Sequence, residues 1–212
     1  MNLYLLRHAS AGLRRTNPAI DAKRPLDKEG KQFCIQLGQV LGLLKVQFDL
    51  VISSPLKRSL QTAALVGTET GYEAKILTSP ALAPGGTITD FESLIAGLSS
   101  KDNVLVVGHN PNLTNFLGSL IVVPEIRARG ALNGASSNSA AKNGATGSTP
   151  AANRAPAHSP THPAVVRLRK GSLARVNCDP HPASLQWLLD PRIVRALYAS
   201  SAISSRRKTS RK

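Results

Sequence analysis

The sequence of 212 residues is poor in several residue types, and each shortage excludes a class of protein. Its two cysteines, Cys34 and Cys178, are too few and too far apart for a disulfide scaffold or a cysteine zinc site, and they fit a reducing cytoplasm. Aromatic residues make up only 4%, so we expect an aliphatic core. No apolar run approaches the ~20 residues that a membrane-spanning helix needs, which excludes an integral membrane protein. The N-terminus, MNLYLLRHAS, also lacks the pattern of a secretory signal.

Acidic residues are scarce in the C-terminal part of the chain. Residues 1–129 contain 14 Lys and Arg against 10 Asp and Glu, whereas residues 130–212 contain 13 against 2. Five of the last seven residues are basic. We therefore expect a disordered basic tail at 201–212, whose contacts with polyanions are weak and nonspecific.

Residues 130–162 differ in composition from their flanks. This segment is built from Ala, Ser, Asn, Gly, Thr and Pro, with one leucine, no aromatic residue and no acid. It cannot bury enough apolar surface to offset the entropy of ordering, so it is predicted to be a disordered insertion.

The first 129 residues alternate between strand-like and helix-like patterns. Short apolar runs predict strands at 2–6, 50–53 and 103–107. Caps or prolines predict helix starts at Asp27, at Ser54-Pro55, at Thr87 and at Asn110-Pro111. This alternation indicates an α/β fold in which a mostly parallel sheet has helices on both faces.

Three more elements are predicted after the insertion: strands at 165–176 and 185–189, and a helix at 191–199 that opens with proline. They are too short to form a domain of their own, so they must pack on the N-terminal part. The chain is therefore predicted to be one domain over 1–200, interrupted at 130–162.

Polar residues follow three of the predicted strands. They are Arg7-His8, Ser53-Ser54 leading to Arg58, and Gly108-His109. The carboxyl ends of parallel strands meet at one edge of the sheet, where ligands bind in such folds. Taken singly, each histidine is more often a hydrogen-bonded structural residue and each arginine a surface cation. Together, two histidines and two arginines from three strand ends indicate a site.

These residue types are suited to phosphoryl transfer. Arginine presents a planar fork of donors that matches phosphate oxygens, and helix N-termini add backbone donors. A neutral imidazole near two guanidinium groups has a lowered proton affinity, so it stays nucleophilic near neutral pH. Because the cations are supplied by the protein, the chemistry needs neither a metal nor a cofactor.

Three segments carry a family resemblance. LYLLRHA at 3–9, VISSPLKRSLQTA at 51–63 and VLVVGHNP at 104–111 resemble the signatures of the histidine phosphatase superfamily, also called phosphoglycerate mutase-like. Ala9, the short chain and Lys23-Arg24-Pro25-Leu26 make it similar to the SixA-type phosphohistidine phosphatases of that superfamily. The resemblance implies a three-layer α/β sandwich.

The resemblance also implies a role for each residue. His8 would be the phosphate-accepting nucleophile, Arg7 and Arg58 would bind the phosphoryl oxygens, and His109 would stabilise the transferring group. Arg24 would be a further phosphate contact, although a solvated loop cation is an alternative for it. Asn110 and Pro111 are assigned to the helix start and not to chemistry.

One departure from the family pattern bears on the substrate. Many members place a Glu or Asp general acid in the segment that corresponds to 79–84, which here reads SPALAP. The nearest acids are Asp90 and Glu92, at spacings of exposed helix positions. Without an acid, alkyl phosphates are disfavoured, because an alkoxide must be protonated as it leaves. A protonated imidazole is a better leaving group, so phosphohistidine is favoured.

Three functional hypotheses follow. The first is a cytoplasmic, monomeric, metal-independent phosphohydrolase that removes phosphate from phosphohistidine on a signalling protein. The second is a phosphomonoesterase for a small metabolite or nucleotide. The third is a non-catalytic polyanion-binding module that uses the basic tail with Arg167, Arg169 and Lys170, where Arg167 and Arg169 would form a basic stripe on one face of the strand at 165–176. The third leaves the three strand-end clusters unexplained.

Overall fold

The computed structural model describes residues 1–98, 100–121, 166–179 and 182–209. The predicted insertion at 130–162 and the last three residues of the predicted tail lie outside the described residues. Within the described ranges, no helix is long and apolar enough to cross a membrane.

Six strands form one sheet in the order β3-β2-β4-β1-β5-β6. Their bounds are β1 (Asn2–Arg7), β2 (Leu50–Ser53), β3 (Leu77–Thr78), β4 (Asn103–Gly108), β5 (Leu173–Asn177) and β6 (Ser184–Leu189). Strands β3, β2, β4 and β1 run parallel, and β5 and β6 add an antiparallel edge. The predicted mostly parallel α/β sheet is confirmed.

Helices cover both faces of this sheet because its central strands are apolar on both sides. Tyr4 and Leu6 of β1 face one core, and Leu3 and Leu5 face the other. The helices are α1 (Pro18–Ala22), α2 (Lys28–Leu43), α3 (Lys57–Glu69), α4 (Ile88–Ala96), α5 (Asn112–Ile121) and α6 (Pro191–Thr209), with a short 3₁₀ turn at Pro80–Leu82. Helices α2, α3 and α6 line the first core, and α4 and α5 line the second.

The two cores are mainly but not wholly aliphatic, which corrects the expectation from composition. All four phenylalanines are buried. Phe33 and Phe48 lie in the first core, while Phe91 and Phe116 stack with ring centroids 4.3 Å apart in the second. Each such ring contributes about 1.5–3 kcal/mol through burial, so the few aromatics are concentrated where they stabilise most.

Two predicted helix starts are confirmed by their caps. The Asp27 carboxylate accepts the Gly30 N–H at 2.7 Å, which starts α2 at Lys28. Thr87 and Asp90 form a reciprocal capping box at the start of α4.

Two other predicted helix starts are wrong by one or two residues. Ser54 continues the strand by donating its N–H to the Val107 carbonyl, so α3 begins only at Lys57 and has no side-chain cap. Asn110 does not cap α5; its amide donates to the carbonyl of Leu168 at 2.8 Å. The side chains of Ser54 and Asn110 instead contact His109 and Leu168, which are far away in the sequence, so local patterns do not reveal these contacts.

The strand predicted at 165–176 is also wrong in extent. Strand β5 begins only at Leu173, because Gly171 has φ +81° and turns the chain just before it. Arg167, Arg169 and Lys170 therefore lie on a loop and form no strand stripe. In contrast, the predicted helix at 191–199 continues to Thr209, through much of the segment expected to be a disordered tail.

Candidate functional site

The site forms where three neighbouring parallel strands end. Strand β4 lies between β1 and β2, and in the sheet register Arg7 pairs with Gly108 while Ser53 pairs with Val107. The three strands therefore end level with one another, and the loops that follow leave the sheet at one place. The sequence motifs predicted this convergence.

His8 is buried at the start of the first of these loops. Its Nδ1 lies 2.8 Å from the Ala9 carbonyl oxygen, which can only accept a hydrogen bond, so Nδ1 carries the proton. Its Nε2 accepts from Nε of Arg58 at 3.3 Å. This tautomer leaves the lone pair on Nε2. The His8 and His109 ring centroids lie 4.9 Å apart.

Burial and nearby cations keep His8 neutral. Burial is the largest effect and lowers the pKa of His8 from 6.5 to about 3 together with the charges of Arg58, Arg7 and Lys170, against a raising effect of the Ala9 carbonyl. The imidazole is therefore unprotonated at neutral pH, as a nucleophile must be.

Arg58 is held against His8 by Asp21. Its Nη1 donates to the Asp21 carbonyl at 2.9 Å and lies 3.2 Å from the Asp21 carboxylate. The N–H of Arg15, more than any other group, lowers the pKa of Asp21 to about 2 against the effect of burial, with Arg24 and Arg58 assisting. Asp21 was missed by sequence reasoning; the available signal was a single acid within the basic run at 14–24.

Arg24 takes part in the same network without reaching His8. Its Nε donates to the Asp21 carboxylate at 2.9 Å, and its Nη1 donates to the carbonyls of Ala11 at 2.6 Å and Gly12 at 3.1 Å. These contacts fix the loop at 11–15. A direct contact of Arg24 with phosphate stays a prediction.

Arg7 has one satisfied and one unsatisfied nitrogen. Its Nη1 donates to the Leu168 carbonyl at 2.9 Å, whereas its Nε is buried and has no hydrogen-bond partner among the described residues. Burial, followed by the charge of Arg167, lowers the pKa of Arg7. A buried donor of this kind calls for an acceptor, and an anion would supply one.

His109 is oriented by two hydroxyl groups. Its Nε2 lies 2.9 Å from Oγ of Ser54 and 3.2 Å from Oγ of Ser59. Since Ser54 Oγ already accepts the Leu56 N–H, its own hydrogen is available for Nε2 of His109. When these hydroxyls donate to Nε2, the imidazole proton lies on Nδ1. The two serines were not singled out for this role from the sequence.

Nδ1 of His109 is the second buried polar nitrogen of this kind in the site. Nδ1 has no partner among the described residues. Burial, then the charges of His8, Arg58 and Arg7, lower the pKa of His109 to about 3, so the ring is neutral and carries a single N–H. The site thus presents a neutral imidazole, two guanidinium groups and an imidazole N–H, a set that can bind a phosphoryl group and accept it on nitrogen.

Asp21 is a described carboxylate that bonds directly to this set, through Arg58. In the segment predicted to lack an acid, Ala81 and Leu82 are buried in the 3₁₀ turn at Pro80–Leu82. Asp90 is exposed and serves the α4 cap, where the Thr87 N–H lowers its pKa. Across the described parts of the chain, no three His, Cys, Asp or Glu side chains are grouped closely enough to hold a metal ion.

Comparisons of sequence identify relatives of the chain. The model of the histidine phosphatase superfamily (branch 1) matches residues 3–83. An uncharacterized protein of Picosynechococcus sp. is 32% identical over 116 residues, which cover 53% of this chain and 68% of the relative. Phosphohistidine phosphatase SixA of Escherichia coli is 28% identical over 113 residues, which cover 52% of this chain and 68% of the relative.

Solved structures share the fold. The protein histidine phosphatase SixA complexed with tungstate superposes with a TM-score of 0.64 at 20% identity, covering 90% of this chain and 97% of that one. The alpha-ribazole phosphatase of Shigella flexneri gives a TM-score of 0.55 at 19% identity, covering 90% and 97%. These two proteins differ in their named substrates, so the shared fold does not select one.

Proposed function

Since this chain belongs to the histidine phosphatase superfamily and is a phosphatase of that kind, we propose that its nucleophile is Nε2 of His8 and its substrate is phosphohistidine on a protein. The observation that carries the proposal is the state of His8: buried, neutral, protonated on Nδ1, with its Nε2 lone pair held beside Arg58.

The reaction takes place in two displacements. Nε2 of His8 attacks phosphorus, the P–N bond of the substrate breaks, and its electron pair stays on the substrate imidazole, which leaves neutral if it entered protonated. Water then attacks the phosphorus on His8, the P–Nε2 bond breaks, its electron pair returns to Nε2, and phosphate leaves with the water oxygen. One water is consumed for each phosphohistidine.

The remaining residues stabilise the charge on the transferring group. Nε of Arg7 and, in the tautomer protonated there, Nδ1 of His109 have no partner among the described residues, so the phosphoryl oxygens complete their hydrogen bonding. The Nε of Arg58 that contacts Nε2 of His8 can turn to an oxygen once Nε2 is bonded to phosphorus.

The ionised state of Asp21 and Asp27 favours phosphohistidine over alkyl phosphates. Asp21 has a pKa of about 2 and is bound to arginines, so it holds no proton to donate at neutral pH. Asp27 is also ionised: burial raises its pKa, but hydrogen bonds from Ser10, Gly30 and Gly12 outweigh burial and lower it. A protonated imidazole leaves without such a donor, whereas an alkoxide does not. The free thiols Cys34 and Cys178 support a reducing cytoplasm as the setting.

The test compares two substrates on the purified full chain. We expect a phosphohistidine peptide to be hydrolysed with a kcat/KM at least about a hundredfold above that of an alkyl phosphate, given the usual range for general acid catalysis. Quenched early time points should carry the phosphoryl group on the peptide that contains His8, located by mass. A higher kcat/KM for the alkyl ester would show that the substrates are small phosphomonoesters and not phosphohistidine proteins.

Two variants separate the nucleophile from its neighbours. His8→Ala should abolish both turnover and labelling while keeping the fold. The matched control His109→Gln should still become labelled on His8 but about 10²–10³ times more slowly, because it loses one donor to the transition state. Labelling of any other residue in His8→Ala would contradict the assignment.

A further inference from the structure

We propose that a basic cleft next to His8 binds acidic side chains that flank the phosphohistidine of a protein substrate. The inference rests on the proposed function and adds to it the kind of partner surface that the enzyme selects. The cleft encloses about 390 Å³ between the loop at 167–170 and the first turns of α2 and α6.

The walls of the cleft are strongly basic. They include two acidic residues, Glu29 and Asp190, and six basic residues: Arg7, Arg167, Arg169, Lys170, Arg192 and Arg195. The balance of +4 in so small a volume attracts anionic groups and repels cationic ones.

Both acids are already paired within the protein. Glu29 binds Arg195 at 2.6 Å, and Asp190 binds Arg192 at 3.0 Å and Arg169 at 3.4 Å. Arg7, Arg167 and Lys170 make no ion pair with any of the described residues. The uncompensated charge is therefore concentrated on the wall that adjoins the site.

That wall is firmly attached to the catalytic strand. Arg7 donates through Nη1 to the Leu168 carbonyl and through its N–H to the Ser172 carbonyl, and it accepts the N–H of Gly171. The charges of Lys170 and Arg167 reach the site, since Lys170 helps to lower the pKa of His8 and Arg167 that of Arg7. A side chain of the substrate that binds in the cleft is thus next to the phosphohistidine whose phosphorus meets His8.

Exposed apolar side chains indicate that the acidic groups bound by the cleft belong to a protein. Leu13 is 87% exposed and Ile20 is 57% exposed. Both lie in the segment 13–20, which is anchored to the site by Asp21. The Asp21 carboxylate accepts the Arg15 N–H at 2.9 Å and also pairs with Arg58. A small phosphate ester gains nothing from such side chains, whereas a protein surface can cover them. Nucleic acid is less well suited, because the ring of Phe33 in the cleft is already covered by Arg195 at 5.5 Å.

The experiment uses two phosphohistidine peptides of equal length, with three glutamates or three glutamines around the histidine. We expect the wild-type chain to hydrolyse the acidic peptide with a kcat/KM about tenfold higher at low salt, mainly through KM. The preference should shrink as salt is raised from about 20 to 300 mM, because the charges are exposed to solvent.

Charge reversal identifies the cleft as the source of the preference. Arg167→Glu combined with Arg192→Glu changes one exposed residue on each wall and should remove or invert the preference. Lys75→Glu combined with Lys101→Glu is the matched control, with the same change in net charge. Those lysines precede β3 and β4, at the edge of the sheet opposite the site, and this variant should keep the preference. The double variant Arg167→Gln, Arg192→Gln should show a preference for the acidic peptide between that of the wild type and that of the charge-reversal variant.

Binding separates a failure of this inference from a failure of the proposed function. Anisotropy of the labelled, unphosphorylated peptides reports the cleft without any turnover. Tighter binding of the acidic peptide, lost on reversal of Arg167 and Arg192, supports the cleft even if neither phosphopeptide is hydrolysed. Equal kcat/KM and equal binding for the two peptides would overturn the inference while leaving the phosphatase intact. Single-stranded DNA that outcompetes the acidic peptide at equal charge would also overturn it.

Discussion

The two ring nitrogens of His8 meet opposite kinds of partner, and this contrast fixes the chemistry of the residue. The Ala9 carbonyl can only accept and the Arg58 guanidinium can only donate, so the proton is confined to Nδ1. Protonation of Nε2 would bring a second N–H against Arg58 and place a buried charge beside two cations. Burial outweighs the single favourable carbonyl, which is why the pKa falls to about 3.

Asp21 is a positioning residue in this arrangement. Asp21→Asn keeps the shape of the side chain and the backbone bond to Arg58 but removes the carboxylate charge, so Nε of Arg58 is held less firmly against His8. We expect phosphorylation of His8 in a single turnover to slow by about ten- to a hundredfold, the usual cost of a lost charged hydrogen bond. Rapid-quench labelling measures this rate directly.

Asp90→Asn is the matched control for that substitution. Asp90 closes the capping box of α4 on the other side of the sheet, so its replacement costs about 0.5–2 kcal/mol of stability without touching the site. If both variants lose similar stability but only Asp21→Asn slows labelling, the effect is specific to the site. A wild-type labelling rate in Asp21→Asn would exclude the positioning role.

At the scale of elements, helix α2 supports the loop that carries His8. Gly30, in its first turn, approaches this loop so closely that a Cβ there would lie 2.0 Å from the backbone oxygen of Ser10. Ser10 is held in turn by Asp27, the cap of the same helix, at 2.6 Å. The start of α2 and the loop after β1 are therefore built against each other.

Gly30→Ala tests this contact against helix propensity. Propensity alone would stabilise the helix by about 1 kcal/mol, but the overlap with backbone should cost about 1–3 kcal/mol or more. We expect a lower free energy of unfolding in urea and a loss of activity, because the displaced loop includes the Ala9 carbonyl that orients His8.

Gly42→Ala, in the same helix, is the control. A Cβ at Gly42 meets no heavy atom within 4 Å, so this variant should be as stable as wild type or more stable by up to about 1 kcal/mol. Equal stability of Gly30→Ala and Gly42→Ala would show that the backbone at Ser10 shifts to accommodate a Cβ at position 30 at little cost.

Local sequence patterns predicted the strands and helices well where the residues of the element itself determine its type and its start. Strands β1, β2, β4 and β6 were found because each is a short apolar run, and α2 and α4 because Asp27 and Thr87 cap their own helices. The starts of α3 and α5 were misplaced because the side chains of Ser54 and Asn110 bond across the fold.

The same distinction applies to the site. His8, Arg58 and His109 could be placed together because parallel strands end at one edge, a rule that needs no side-chain detail. Asp21 and Ser59 could not, since their partners are 37 and 50 residues away in sequence and depend on how α1 and α3 pack. The basic cleft was likewise hidden, because a strand was predicted where the loop at 167–170 lies.

For the molecule as a whole, part of the excess positive charge lies next to the site. The net charge is +15, and four of those charges remain in the cleft after its two acids are counted. His8 and His109 lie in this field and are both neutral when folded. Their neutrality couples the chemistry of the site to the stability of the fold.

The coupling predicts that acid destabilises the protein well above the pKa of its carboxylates. In the unfolded chain both histidines bind protons below about pH 6.5, but in the folded protein they do so only below about 3. Between these values only the unfolded chain gains protons, so stability falls as the pH drops from about 6.5 to 3 and is unaffected above that range. We expect Tm to fall by about 5 °C or more between pH 7 and pH 4.5.

The double variant His8→Gln, His109→Gln shows how much of that fall belongs to the site. Glutamine binds no proton in either state, so the variant should have a flatter Tm profile between pH 7 and pH 4.5, whatever its stability at pH 7. Below that window both proteins should lose stability together, because Asp21 has a folded pKa of about 2 against an ordinary 3.8 and its ion pairs disappear on protonation. Parallel profiles for wild type and variant above pH 4.5 would mean that folding does not lower the pKa of the two imidazoles, so burial would not keep His8 neutral below about pH 6.5.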